Sequence, residues 1–498
     1  MSLYKEHSTR NILYISFGAL ILGHLLIPTN LVVSTFGFII ITLFIYNLTL
    51  RKKDFFSFIM VIYFTNHFNY FFGYGGGFNI VAFFSILLFI ILNKRMPLEL
   101  KTNNRLITIL ISILLMSSVL GWFFNFVGEN HHLVISVISF FGIILLLFVT
   151  TRLFISKSRI KIFLKLSLIL AVYSIIASIN SYFGLLTSKS PMLPIRLISD
   201  STDFDFGGVF GSSPVYGENS MLLIILFMIF FLFSKNQLLS SKILFISIIF
   251  SFINVLFSAS RSAFLLSLIG LLLIIIFQFK ITVINIKKQV STIFIVFFTS
   301  IIIILFARGI GLNYVFERLS NFEDQYYSSG GSGLTYDRFT DGSVFGRKES
   351  FYLGIERYFS KDSWLIGYGW NTSDNNRYAF YTDTSVLQGS AHSQIFAVIF
   401  LLGWIGFFAY YCLYFISIFK SFRLSGSKIS GVYHNRLLAF AFSLIMLMFI
   451  INEIKVDSIS AQYYFGATII LLGLSFANIN TIEMISSQKK QSDSKHSL

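Results

Sequence analysis

Three side chains at the ends of apolar runs have types suited to moving an anionic group and a proton: Arg261, Arg347 and His392. Arg261 is the only charged residue in the 37-residue stretch between Lys242 and Lys280, with 18 residues on either side. At about 1.5 Å of rise per helical residue, each arm just crosses an apolar core roughly 30 Å thick, so the arginine falls at the lip of a tight helical hairpin. A guanidinium there is costly unless it meets an anion, and its planar fork fits a phosphate or a carboxylate. Ser258, Ser260 and Ser262 surround it with hydroxyls rather than aromatic anchors. The plainer alternatives are interfacial snorkelling or an ion pair with Asp203 or Asp205. Arg347 opens a stretch, 349–359, whose apolar positions Phe351, Leu353, Ile355, Tyr358 and Phe359 suit a short amphipathic helix lying on a membrane. That places Arg347 near a helix N-terminus, where backbone donors also favour anions. His392 immediately precedes an apolar helix expected to begin near Ile395; an imidazole can accept a proton from a hydroxyl, or simply cap the helix.

Around these lie groups suited to a polar, ring-shaped ligand. The segment 308–392 is too long for a plain connection. Tyr336, Trp364, Trp370, Asn371, Asn375, Tyr378 and Tyr381 within it combine aromatic faces with amides, as sugar faces and hydroxyls require; anchoring at a membrane interface is the alternative for each ring. An earlier polar loop, 187–217, contains Gly207-Gly208-Val209-Phe210-Gly211 and Pro214-Val215-Tyr216, which read as a re-entry corner with Glu218 at the lip of the next apolar run. Tyr216 and Glu218 are acceptor-contact candidates, Glu218 either orienting a ligand or capping the helix.

The elements that must position these residues are membrane helices. Of 498 residues, 55% are hydrophobic and only 12% charged, with a mean hydropathy of +0.77, which excludes an ordinary soluble enzyme. The net charge of +16 does not point to nucleic acid, because the basic residues sit in short clusters between apolar runs, as orientation signals do. The single cysteine, Cys412, lies inside an apolar run and supplies neither a disulfide framework nor a zinc site. The expected architecture is all-α and polytopic, with fourteen spans and both termini cytoplasmic.

Seven spans form an N-terminal bundle over 1–186, beginning with an uncleaved anchor, and the first external loop covers 187–220. Four spans with the Arg261 hairpin follow over 221–307. The large external loop, 308–392, separates spans 11 and 12, and three spans over 393–480 lead to a polar, disordered cytoplasmic tail, 481–498. In this layout the cytoplasmic segments hold 26 Lys and Arg against 5 Asp and Glu, and the external ones 12 against 17, so the positive-inside rule supports the orientation. Ionisable groups in mid-span are few, His24 and His67; Glu453 and Lys455, near the outer end of a span, are expected to pair or to line a rim.

Ser258-Ala259-Ser260-Arg261-Ser262 between two spans, Gly346-Arg347 followed by Gly367-Tyr368-Gly369, and Ala391-His392-Ser393-Gln394 followed by Gly403 and Gly406 resemble the O-antigen polymerase (Wzy-type) and O-antigen ligase superfamily over roughly 207–406. Many members carry Asn after the histidine where this chain has Ser393, and a glutamate before the downstream glycine where it has Leu402. The resemblance implies a GT-C type glycosyltransferase at the outer face of a bacterial inner membrane. Its substrate would be an undecaprenyl-pyrophosphate-linked oligosaccharide, with membrane lipids around it, a chain-length regulator protein as a partner, and no metal or cofactor. His392 would activate the acceptor hydroxyl, while Arg261 and Arg347 would bind the pyrophosphate.

The expected reaction extends a surface glycan on a lipid-linked repeat unit, with transfer to lipid A core, the ligase reaction, as the alternative. Two other classes compete. Asp203-x-Asp205 has the spacing of a divalent-cation site in some lipid-sugar transferases. A lipid-linked oligosaccharide flippase would also use many spans, but it should bury charges within several of them and keep its external loops short.

Overall fold

The computed structural model describes residues 55–66, 105–125, 130–183, 213–234, 236–258, 260–277, 365–370, 394–427, 431–453 and 462–496, together with the pairs 196–197 and 204–205 and scattered single positions. The chain is helical throughout these residues apart from turns and one two-residue antiparallel pairing, β1 (Arg196–Leu197) with β2 (Phe204–Asp205). The helices are α1 (Phe55–Asn66), α2 (Arg105–Asn125), α3 (Asn130–Thr150), α4 (Lys157–Phe183), α5 (Ser213–Phe233), α6 (Ser241–Phe257), α7 (Arg261–Phe277), α8 (Gln394–Ser425), α9 (Tyr433–Glu453) and α10 (Gln462–His496). Five among the described residues, in α2, α5, α8, α9 and α10, are long and apolar enough to cross a membrane, and four shorter stretches are equally apolar.

Helix α5 is apolar on every face from Met221 to Phe230 and correspondingly has no exposed side, as a helix without an amphipathic stripe must. It packs against α4, α6, α7 and α9. A second group forms where α8 packs on α2, α9 and α10, while α10 also meets α1 and α3. Helix α2 lies at the periphery, exposing Ile109, Met116, Phe123 and Phe124.

Polar side chains tie the helices at one end. Asn435 Nδ2 donates to Ile155 O (2.7 Å) and Asn480 Nδ2 to Thr151 O (2.9 Å), while the Tyr433 hydroxyl donates to Phe233 O (2.6 Å). The basic residues Arg152, Lys157, Lys420, Arg423 and Arg436 gather at this end of the helices.

Four expected boundaries shift, each for a local reason. The basic stretch 152–165, read as a loop, supplies the first turns of α4, because Ser156 caps the helix by accepting from Arg159 N (3.3 Å). Helix α5 begins at Ser213, inside the segment read as loop, so Pro214-Val215-Tyr216 is its first turn rather than a re-entry corner; proline is tolerated there since its missing N–H has no intrahelical partner to lose. The apolar run read as one span from Ile395 is broken at Gly403 (φ 64°, ψ −176°). Helix α10 continues to His496 through a tail read as disordered, packing Ile482 against Val432 and Ala439 and pairing Lys420 with Glu483 (3.8 Å). The spans expected before residue 105, apart from α1, and the segment 308–364 with 371–393 lie outside the described residues.

Candidate active site

At the end of the bundle opposite the basic cluster, the turn bearing Arg261 meets the first turns of α5, while the 365–370 loop meets α2 and α8 in a separate assembly. Helices α6 and α7 are joined by a short turn that rests on Gly217 of α5. A Cβ at Gly217 would lie 2.4 Å from Ser258 Oγ, 2.8 Å from Ser260 Cβ and 3.0 Å from Ala263 Cβ, so only glycine lets the turn seat this closely. The expected tight pairing of α6 with α7 gives way to packing of both on α5, which offers each a fully apolar face.

The serines around Arg261 serve the backbone. Ser258 Oγ donates to Val255 O (2.6 Å) and accepts from Ser260 N (3.3 Å), and Ser260 Oγ accepts from Ala263 N (3.4 Å), capping α7. Arg261 is thereby the first residue of α7. A cation at that position opposes the helix macrodipole, so stabilising α7 does not account for the arginine.

Glu218, the residue after Gly217, is fully buried. Tyr216, two residues before Glu218, is fully buried as well, and its hydroxyl donates to Asn254 Oδ1 on α6; Asn254 Nδ2 donates to Ala171 O on α4 (2.9 Å). Three helices are thus locked at the level of Glu218. Tyr216, expected as a contact for a sugar acceptor, here holds the helices beneath the site.

A second assembly surrounds the 365–370 loop. The positive φ of Gly367 (72°) and Gly369 (81°) turns the chain against the break in α8, where Tyr368 N donates to Phe400 O (3.0 Å) and Ile405 N to Leu365 O (3.4 Å). The loop therefore satisfies backbone groups that the break at Gly403 leaves without helical partners. Helix α2 clamps the other side: Asn125 Nδ2 donates to Gly367 O (2.7 Å), Trp122 Nε1 to Trp370 O (2.7 Å), Trp370 N to Ser118 Oγ (2.9 Å), and the Ser117 hydroxyl to Leu402 O. Trp370 is buried against Phe140 (ring centroids 5.1 Å apart), so in this arrangement it offers no face to the sugar expected to stack on it. Beside this clamp an apolar groove of about 320 Å³ runs along α2 past Thr108, Ser112 and Met116 to Ile366 and Ile405.

The break has a further result. Gln394 Nε2 lies 3.5 Å from the Tyr410 hydroxyl, although sixteen positions of straight helix would separate them by about 24 Å. The segment before Gly403 must therefore fold back beside the one after it. The Tyr410 hydroxyl also contacts Tyr414 (3.2 Å) and donates to Glu453 Oε1 on α9 (2.8 Å). Glu453, expected to pair with Lys455 or line a rim, is 1% exposed and turned into the bundle; Lys455 lies outside the described residues.

Sequence reasoning missed Tyr410 and Tyr414 and gave Gln394, though quoted in a motif, no role of its own. The signal of the two tyrosines was present as hydroxyls four positions apart in an apolar run, with an acid at the end of another. Among the candidates, Glu218, Tyr216 and the Arg261 backbone are brought together, and Trp370 sits in the separate clamp. The Arg261 side chain, Arg347, His392, Tyr336 and Tyr378 lie outside the described residues, as does Asp203; Asp205 closes β2.

Residues 246–411 match the family model described as O-antigen ligase. The match supports the O-antigen polymerase and ligase superfamily and covers α6 from residue 246, α7, the 365–370 loop and α8 past Gly403, with Arg261, Arg347 and His392 inside it; Glu218, α2 and Glu453 fall outside. The match suggests a glycan-transferring enzyme of that general kind, and together with the apolar helices it suggests a multi-pass membrane protein. No curated protein matches the chain.

Proposed function

We propose that this protein is a surface-glycan polymerase of the GT-C type, with fourteen spans and both termini cytoplasmic, working at the outer face of a bacterial inner membrane. It would transfer a growing glycan from undecaprenyl pyrophosphate to a sugar hydroxyl of a new lipid-linked repeat unit. The observation that carries the reading is the Arg261 turn, which lies inside the segment matching the O-antigen ligase family and seats on Gly217 beside buried Glu218, outside that segment. Its position opposite the basic cluster supports an external site, since lysine and arginine favour the cytoplasmic side.

In this reading His392 takes the proton of the acceptor hydroxyl as that oxygen attacks the anomeric carbon. The bond from that carbon to the pyrophosphate oxygen breaks, and Arg261 with Arg347 neutralises the charge gathering on the leaving undecaprenyl pyrophosphate. Two guanidiniums supply the positive charge, and no metal is needed. Glu218 orients the acceptor, Tyr336 and Tyr378 contact its sugars, and Tyr216 and Trp370 hold the walls of the site. The apolar groove along α2 suits a polyprenyl tail. A chain-length regulator is the protein partner such a polymerase would use.

The family description favours one second reading, transfer to lipid A core. The test is a liposome assay with a lipid-pyrophosphate-linked repeat unit and EDTA, with and without lipid A core. A glycan ladder without core that disappears in His392→Ala and Arg261→Ala supports the polymerase. Product only with core makes the protein a ligase, and product only with a divalent cation moves the site to Asp203 and Asp205. No product under any condition returns the flippase.

A further inference from the structure

Helix α4 opens with a row of cations that the proposed reaction does not use. We propose that Lys157, Lys161 and Lys165 form a binding surface for the headgroups of anionic phospholipids; the inference is independent of the reaction assigned above.

The three lysines are four positions apart, so they share one face of α4 along about 12 Å of its first turns. The packed face is another one: Ile160, Phe163 and Leu164 are buried, with Phe163 against Tyr63 (6.2 Å) and Phe442 (6.3 Å), whereas Lys157 and Lys161 are exposed. Helix α4 has 27 residues, about 40 Å of rise, while a bilayer's apolar core is roughly 30 Å thick. The uncharged stretch 166–183 fills that core, which leaves the lysine row in the headgroup layer, where lipid phosphates lie. The Lys165 ammonium stands at the boundary, 5.5 Å from the Tyr14 ring. Below it the same face continues as Ile169, Val172 and Ile176, the last 44% exposed, so a lipid held by its headgroup has apolar side chains beneath for its acyl chains. A soluble acidic protein would have no use for that continuation.

Helix stability does not account for the row. Like charges four apart repel one another, and cations in a first turn oppose the macrodipole. The chain has no Asp or Glu between Glu129 and Asp200, and the ion pair found at this end among the described residues, Lys420 with Glu483 (3.8 Å), leaves α4 out. The helices packed on α4 bring Lys242, His434 and Arg436 to the same end, while the carboxylates of α5 and α9, Glu218 and Glu453, lie at the other. Orientation in the membrane asks only for cations on one side of it, not for three on one exposed helical face. The neighbouring arginines are already engaged: Arg152 lies over the Phe148 ring (3.9 Å), and Arg159 donates to Phe154 O (2.6 Å) over the Phe56 ring (5.0 Å). The lysines, on flexible stems with three donors each, are the groups left to meet a lipid phosphate.

The experiment titrates full-length protein in a neutral detergent with phosphatidylglycerol or phosphatidylcholine and counts bound lipid by native mass spectrometry. A lysine at an anionic headgroup contributes about fivefold in affinity, so Lys161→Gln should bind phosphatidylglycerol about fivefold more weakly, and the triple variant K157Q/K161Q/K165Q about a hundredfold. The triple arginine variant, K157R/K161R/K165R, should bind as the wild type does, because the charge is kept. The control K242Q/R423Q, which removes two cations at the same end from other helices, should change binding less than twofold. Phosphatidylcholine should not distinguish the variants.

Losses in the control equal to those in Lys161→Gln would make the row one part of a diffuse positive field and overturn the proposal, as would unchanged binding in Lys161→Gln, the single variant that carries the test if the triple one fails to fold. Inorganic phosphate that displaces phosphatidylglycerol at equal phosphate concentration would make this a site for soluble anions. A polyglutamate peptide that does so at equal charge would make it a protein-docking surface, and either result overturns the lipid assignment.

Discussion

Replacing Gly217 with alanine separates the stability of the bundle from the geometry of its site. The new Cβ would lie 2.4 Å from Ser258 Oγ and 2.8 Å from Ser260 Cβ, where ordinary contact begins at 3.4 Å. The Arg261 turn must then move by about 1 Å, because Ser258 Oγ is already committed to Val255 O and Ser260 N, and the Ser260 and Ala263 contacts are Cβ atoms that cannot rotate away. Overpacking of this kind costs about 1–3 kcal/mol, and replacing glycine by alanine inside a helix returns about 1 kcal/mol, so the net loss is between about 0 and 2 kcal/mol. The chemistry suffers more: a displacement of about 1 Å between a charge-stabilising group and the reacting atoms costs on the order of 100-fold in rate. The matched control is Gly473→Ala, which meets Thr150 Cβ at 2.7 Å near the opposite end of the bundle. Thermal unfolding in detergent and glycan extension in liposomes are measured for both. The expected pattern is similar unfolding midpoints with activity lost only in G217A. Full activity in a folded G217A would refute the positioning of Arg261 by this turn.

Gly403→Ala is expected to lose about 3 kcal/mol or more, because φ 64° with ψ −176° is a region almost confined to glycine and the added Cβ would meet Leu365 O at 2.3 Å. Gel filtration and thermal unfolding check it, and a wild-type midpoint would remove the 365–370 loop as the support of the break. Asn254→Ala should lower stability by about 2–4 kcal/mol, since it strands both the Tyr216 hydroxyl and Ala171 O in a buried setting. In that background Tyr216→Phe should cost less than it does in the wild type, and equal costs would show that the two residues do not act together.

Length of apolar run and placement of charge were enough to locate most of the described helices, because a bilayer demands long, self-satisfied apolar segments and leaves little else possible. They also singled out Arg261, whose isolation between two apolar arms is visible without any coordinates. The glycine corners were visible too, but not their purpose. That Gly217 is a seat for the Arg261 turn, and that Gly367, Gly369 and Gly403 let a loop and a broken helix exchange hydrogen bonds, depends on backbones meeting from 32 (Tyr368 to Phe400) to 46 (Gly217 to Ala263) positions apart, in places no local pattern encodes.

The break in α8 was illegible for the same reason: 395–419 carries no charge, and a continuous helix is the natural reading until a partner appears that can satisfy the freed backbone groups. Trp370 and Tyr216 were drawn toward sugar because an aromatic in a polar stretch carries no mark of burial, and the packing of Phe140 and Asn254 decided it. Glu453 was read with its sequence neighbour Lys455, whereas the fold gives it Tyr410, forty-three positions away. Sequence by itself therefore determined a helical membrane protein, a resemblance to one superfamily and the isolation of Arg261 between two apolar arms. Tertiary structure decided which polar groups face one another, because in an apolar medium each buried donor must find its acceptor across helices rather than along the chain.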